Sequence, residues 1–257
     1  MQPEEQPISD VINSTKTDLR GVWPPKLLRL VVGAVCAAAL GFVVLKTMYP
    51  IFVVPMEIAR VLENDPVWKY DRLDKAQFAV DSKNYSIVFG VIAAVFAASG
   101  FLCSFGARSI TALLIAVVGA AAMGVLGANL SHGVFHYMSK HSGEDMLLMG
   151  FTLDSMKQSI LGYSLLWGLI GLGVGVGIGS VCGMGKSLVA GISGLCGGVL
   201  AALLYVLLTA QFFLDIKMNR VLPYNGADQA ILLGVFTLVI AVCIALGCGE
   251  RRPKTAA

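Results

Sequence analysis

The chain has 257 residues, 56% of them hydrophobic and 14% charged, and its 19 Lys and Arg against 16 Asp and Glu leave a net charge of +3. A soluble domain carries about 25% charged residues, so this composition argues against an ordinary water-soluble globule. The small net charge gives no electrostatic footprint for nucleic acid.

Residues 1–26 are mostly polar and include Glu4, Glu5, Asp10 and Asp18. A cleaved signal peptide has a short basic start, so this segment reads as a disordered cytoplasmic tail before an uncleaved helix. A membrane-crossing helix needs roughly 20 apolar residues, and six stretches qualify. The first is 27–48, opened by Trp23, Pro24 and Pro25 and bounded by Arg29 and Lys46, whose side chains can reach the interface. An outer loop over 49–85 follows. It contains a short amphipathic helix over 55–64 that carries Ile58, Val61 and Leu62 on one face and stops at Asp65-Pro66.

The second and third spans, 86–105 and 109–131, form a hairpin over 86–131. An outer loop over 132–158 holds a predicted surface helix at Met146–Met149 and Phe151. The fourth and fifth spans, 159–182 and 187–214, form a second hairpin over 159–214. A loop over 215–228, a sixth span over 229–247 and a cytoplasmic tail from 249 complete the chain. Spans two to six contain no Asp, Glu, Lys or Arg. The fold class expected is therefore all-α, a polytopic membrane bundle of about six helices. The runs are continuous rather than alternating, which argues against a β-barrel.

Each tight turn between paired spans has one basic residue and no acid, Arg108 in the first and Lys186 in the second, and the C-terminal tail carries Arg251, Arg252 and Lys254. Basic residues are retained on the cytoplasmic side, so both termini are expected there, with the chain in the cytoplasmic membrane. The two hairpins also resemble each other. Residues 85–92 match 163–170 without a gap, and Arg108-Ser109 falls on Lys186-Ser187. At the same offset Ala112, Gly119, Leu126, Leu130 and Phe135 recur as Ala190, Gly197, Leu204, Leu208 and Phe213. The last span reads as a partial third copy. Such copies begin on the same side of the membrane and are parallel repeats.

Small residues recur every fourth position. Gly171, Gly175, Gly179 and Gly183 do so in the fourth span, with Gly173 and Gly177 beside them. Ala112, Ala116, Ala120, Gly124 and Ala128 stripe the third, Ala190, Gly194, Gly198 and Ala202 the fifth, and Gly33, Ala37 and Gly41 the first. In lipid, helices associate by close packing, which small residues permit. Each hairpin is thus expected to be a glycine-zipper pair. The glycines of the fourth span cover more than one face, which predicts a central position.

Three polar features could carry chemistry. Gly179–Ser187 resembles a phosphate-binding loop, but Ser180 stands where the motif needs glycine and no strand precedes it. The six cysteines show no metal or disulfide spacing. The three histidines fall close together, and His132 and His136, one helical turn apart, could share a metal ion with Glu144. Against that stands the simpler reading of solvated histidines at a helix end. No cofactor motif is present, and no ionisable residue lies deep in a span, which weighs against an ion-coupled pump. The reading that follows is a non-enzymatic structural or interaction protein whose partners are the lipid bilayer and other membrane proteins or copies of itself. A channel or carrier for a small neutral solute is the alternative, and a metal-dependent membrane enzyme is third.

Overall fold

In lipid a backbone must satisfy its own hydrogen bonds, and long apolar runs do so only as helices or closed barrels. A computed structural model describes residues 25–54, 66–106, 109–141, 153–212, 220–223 and 225–248. Among these residues all regular structure is helical and no strand occurs. The helices are α1 (Pro25–Met48), α2 (Pro66–Phe105), α3 (Ile110–His141), α4 (Leu153–Ser180), α5 (Met184–Phe212) and α6 (Gly226–Gly247). Each is long and apolar enough to cross a membrane, which is compatible with an integral, multi-pass membrane protein.

Local chemistry sets the helix ends. Pro25 and Pro66 open α1 and α2, where a missing N–H and a fixed φ cost nothing. Ser109 Oγ accepts a hydrogen bond from the Ala112 N–H at the start of α3 (3.3 Å), and Asn225 Oδ1 accepts one from Ala227 at the start of α6 (3.3 Å). The turn between α4 and α5 bends at Gly183, whose φ of +102° lies in the left-handed region that favours glycine. Within the spans, Ser99 and Thr237 donate to the carbonyls of Val95 and Leu233 one turn back, so their hydroxyls are satisfied without water.

Two helices run well beyond their apolar segments. The 40 residues of α2 make a rod roughly 60 Å long, about twice the thickness of a hydrocarbon core. It begins at Pro66 rather than at residue 86, so 66–85 is helix where the sequence reads as loop. At its other side α3 continues to His141 rather than ending near residue 131. The two extensions are antiparallel and pack together. Pro66 is thus itself the start of a helix. A proline that cannot continue one helix is well suited to the first turn of the next. The expected helix at 55–64 and the surface helix at 146–149, like both tails, lie outside the described residues.

The bundle forms two rows. α4 touches α3 and α5 in one, α1 touches α2 and α6 in the other, and α2 pairs with α3 as α5 pairs with α6. α4 also reaches α2 and α6, and its span is the most buried at 61%, against 22% for α3. Its central place follows from its glycines. Gly171, Gly175 and Gly179 lie against the α5 backbone at Gly194, Ala190 and Ser187; a methyl on Gly179 would stand 2.6 Å from Ser187 Cα. On another face, a methyl on Gly177 would lie 2.8 Å from Ala116 Cα and one on Gly173 3.0 Å from Ala120 Cα, both in α3. Gly183 takes no part in this packing and serves the turn instead.

The two hairpins do not pack identically. Gly124 of α3 meets Phe89 of α2, a methyl there standing 2.5 Å from the Phe89 carbonyl oxygen. The residue aligned with Phe89 is Trp167, but the glycine packed on it is Gly198 of α5, one turn before Ala202, which aligns with Gly124. Gly119 has nothing near it, whereas the aligned Gly197 packs on α6 at Ile240 and Cys243. Between the rows the space is filled by aromatic rings. Trp167 stacks on Phe236 at 4.7 Å and meets Phe89 edge-on at 6.0 Å, while Tyr163 meets Tyr205 edge-on at 5.3 Å. These rings are buried.

Candidate functional site: the polar end of the bundle

The chemistry-bearing side chains gather where α2 and α3 extend past their apolar segments. Phe78 of α2 packs against two histidines of α3, His132 and His136. Its ring stacks on His132 at 4.5 Å and tilts against His136 at 4.4 Å. His132 Nε2 is 3.3 Å from the Phe78 carbonyl oxygen, and His136 Nε2 is 3.6 Å from Asp74 Oδ2. The two imidazoles are 6.4 Å apart, and His132 also meets the edge of Tyr85 at 5.2 Å. One turn further into the bundle, Ser82 Oγ donates to Asn129 Oδ1 (2.6 Å) and Asn129 Nδ2 donates to Ser86 Oγ (2.8 Å).

Of the three proposed metal ligands, the structure brings His132 and His136 side by side, both packed on Phe78. Glu144 lies outside the described residues. Among the described residues no group of three His, Cys, Asp or Glu is placed to hold a metal ion. An acid beside His136 is Asp74, which the sequence reading left in a loop. The signal was present: Asp74, Phe78, Asp81 and Tyr85 recur at helical spacing before the apolar run.

A second group forms where α1 ends. Tyr49 follows α1, stacks on Tyr85 at 5.8 Å and donates its hydroxyl to the Tyr85 oxygen at 3.4 Å. Burial pushes the Tyr49 phenol above its ordinary value, with the hydrogen bond to Tyr85 opposing, so the group stays protonated in neutral solution. The segment after α1 is held by Asn84, which is buried in α2. Its Oδ1 accepts from the Ile51 and Phe52 N–H groups (3.1 and 2.8 Å), and its Nδ2 donates to the Phe52 carbonyl (2.9 Å). Asn84 is a residue the sequence reading passed over, because a lone Asn beside an apolar run carries no pattern.

The small residues singled out for packing are distributed as follows. Gly171, Gly175, Gly179 and Gly194 join α4 to α5, and Gly198 joins α5 to α4 at Trp167; Ala116 and Ala120 join α3 to α4; Gly124 joins α3 to α2. These contacts are internal to the chain. No protein-family model, curated protein or solved structure matches this chain.

Proposed function

We propose that the chain is a non-enzymatic structural or interaction protein of the cytoplasmic membrane, with both termini on the cytoplasmic side. The observation that carries this reading is the filled centre of the bundle. Trp167, Phe236, Phe89, Tyr163 and Tyr205 occupy the space between the two helix rows, and glycine faces close α4 onto both of its neighbours in the row. Among the described residues these rings fill the middle of the bundle, which argues against a solute path there, and small-residue contacts suit a rigid body. The extended pair α2 and α3 supplies a polar structure beyond the apolar spans through which a partner can be engaged. The basic turns at Arg108 and Lys186 support the orientation.

The test is solute flux and capture together. Reconstituted vesicles are expected to pass glycerol and urea no faster than protein-free vesicles. Crosslinking in the native membrane through residues of the α2 extension is expected to trap a second polypeptide. Flux well above the lipid background would favour the carrier reading instead, and crosslinking that returned only monomer would count against an interaction role.

A further inference from the structure

A cavity of about 200 Å³ opens at the polar end, between the end of α1, the start of α6 and the segment before it. It is smaller than the ~300–1,000 Å³ of ordinary ligand pockets, so it suits a headgroup-sized group. Lys46, Arg220, Tyr49, Tyr85 and Gln229 line it, with Leu45 and Leu222 as an apolar wall.

The cavity is a built feature. Tyr163, fully buried in α4, donates its hydroxyl to the Arg220 carbonyl (2.8 Å), and Gln229 Nε2 donates to the Pro223 carbonyl (2.8 Å). Between these two anchors Val221 and Leu222 are buried. Arg220 is therefore presented at the rim by a segment pinned at both ends. On the opposite side the Lys46 ammonium sits at the first residue of α6, where a methyl on Gly226 would stand 2.9 Å from Lys46 Nζ.

The cavity gathers positive charge at a helix N-terminus. A helix N-terminus carries roughly half a positive charge, and cations placed there are destabilised. Lys46 is well placed for the C-terminus of its own helix, being in the last turn of α1, but the same ammonium abuts the N-terminus of α6, with Arg220 lining the same cavity. Asp228 in the first turn of α6 does not line the cavity, and neither does Asp81 of α2, although its charge reaches Tyr49 and Tyr85. The remaining clue is Gln229, which is 7% exposed and whose Oε1 has no hydrogen-bond partner. An orphaned buried acceptor is costly, and a ligand that brought a donor would remove that cost.

We propose that this cavity binds a phosphate ester bearing a hydroxyl donor, the chemistry of a glycerol-type phospholipid headgroup and equally of a free glycerol phosphate. The phosphate meets the Lys46 and Arg220 charges and accepts from the Tyr85 hydroxyl, whose oxygen in turn accepts from Tyr49. The hydroxyl donates to Gln229 Oε1. A choline headgroup brings no donor and no net negative charge, so it is the natural discriminator. The site rests on the membrane reading of the chain and is independent of a scaffold role.

The test is lipid retention by the full chain in detergent, read by native mass spectrometry after exposure to equal amounts of phosphatidylglycerol and phosphatidylcholine. Retention of the glycerol lipid is expected to exceed that of the choline lipid about tenfold, the ratio that 1.4 kcal/mol supplies. Lys46→Gln with Arg220→Gln is expected to bring the ratio close to one. Gly226→Ala is expected to lower it by displacing the flexible end of Lys46 while leaving α6 intact. Glycerol 1-phosphate added at millimolar concentration then separates the sources. Displacement of the lipid identifies the soluble ester as a ligand, and persistence of the lipid identifies the bilayer as the source. Equal retention of both lipids by the unmodified chain, with glycerol 1-phosphate giving no rise in melting temperature, would overturn the site whatever the variants do. A chain that stays folded and dispersed without detergent would instead overturn the membrane reading.

Discussion

Gly171 of α4 and Gly194 of α5 meet backbone to backbone: a Cβ built on either would collide with the carbonyl of the other. No rotamer can relieve that clash, because the obstacle is main chain. Gly171→Ala is therefore expected to push the two helices apart and to destabilise the bundle by about 1–3 kcal/mol or more. Gly119→Ala is the matched control. Nothing lies within 4 Å of the methyl it would add, and alanine is the better helix former by about 0.5–1 kcal/mol. Thermal unfolding in detergent is expected to show a lower Tm for the first and an unchanged or higher Tm for the second. Equal shifts would mean that α4 and α5 are not in contact at this point.

Asn84 uses both ends of its amide on the chain that leaves α1. Asn84→Leu keeps the bulk and strands the Ile51 and Phe52 N–H groups, at a cost of about 1–3 kcal/mol. Asn84→Asp keeps the acceptor and loses the donation to the Phe52 carbonyl, so its cost is expected to be intermediate. Amide hydrogen exchange at Ile51 and Phe52 reads the effect directly. It is expected to accelerate strongly in Asn84→Leu and to change less in Asn84→Asp. Unchanged exchange in Asn84→Leu would remove the clamp.

How far the fold could be read beforehand depended on what the signal was. The six spans were legible because lipid imposes one rule on all of them: about 20 apolar residues and no stranded backbone. The central place of α4 was legible because glycine on two faces permits two close neighbours. The extension of α2 was not. Residues such as Asp74, Lys75, Asp81 and Lys83 carry the charges of a water-facing surface, and charge density reads as loop when the helix has no buried stripe of its own. Its partner is the polar end of α3, and that pairing is tertiary. Likewise His132 and His136 stand one helical turn apart in the sequence, but no single-helix pattern announces that Phe78 of another helix packs against both. The cavity at Lys46 and Arg220 joins positions far apart in the chain, and no local motif marks it.

Phe78 is expected to hold the α2 and α3 extensions together. Aromatic contacts contribute about 0.5–1.5 kcal/mol each beyond their area, and Phe78 makes two, with His132 and His136. Phe78→Ala is expected to destabilise the extension by about 1–3 kcal/mol without disturbing the spans. Limited proteolysis of reconstituted protein should then cut within the α2 extension while the apolar helices survive. Resistance equal to that of the unmodified chain would contradict the packing.

If α2 leaves the bilayer before its charged residues, its faces there meet water. In a background lacking the native cysteines, Lys75→Cys is expected to react fast with a charged maleimide in vesicles of suitable orientation. Val118→Cys, on the exposed apolar face of α3, is expected to be protected by lipid. Comparable labelling at both positions would place the boundary wrongly along these helices.

The central claim is that lipid surrounds the six long helices, with α3 turning residues such as Leu114, Ile115 and Val118 outward. Alkaline carbonate extraction of membranes from cells expressing the full chain tests it most directly. The account predicts that the protein remains in the membrane pellet at high pH and is released only by detergent. Quantitative release into the carbonate supernatant, as a folded species without detergent, would contradict it.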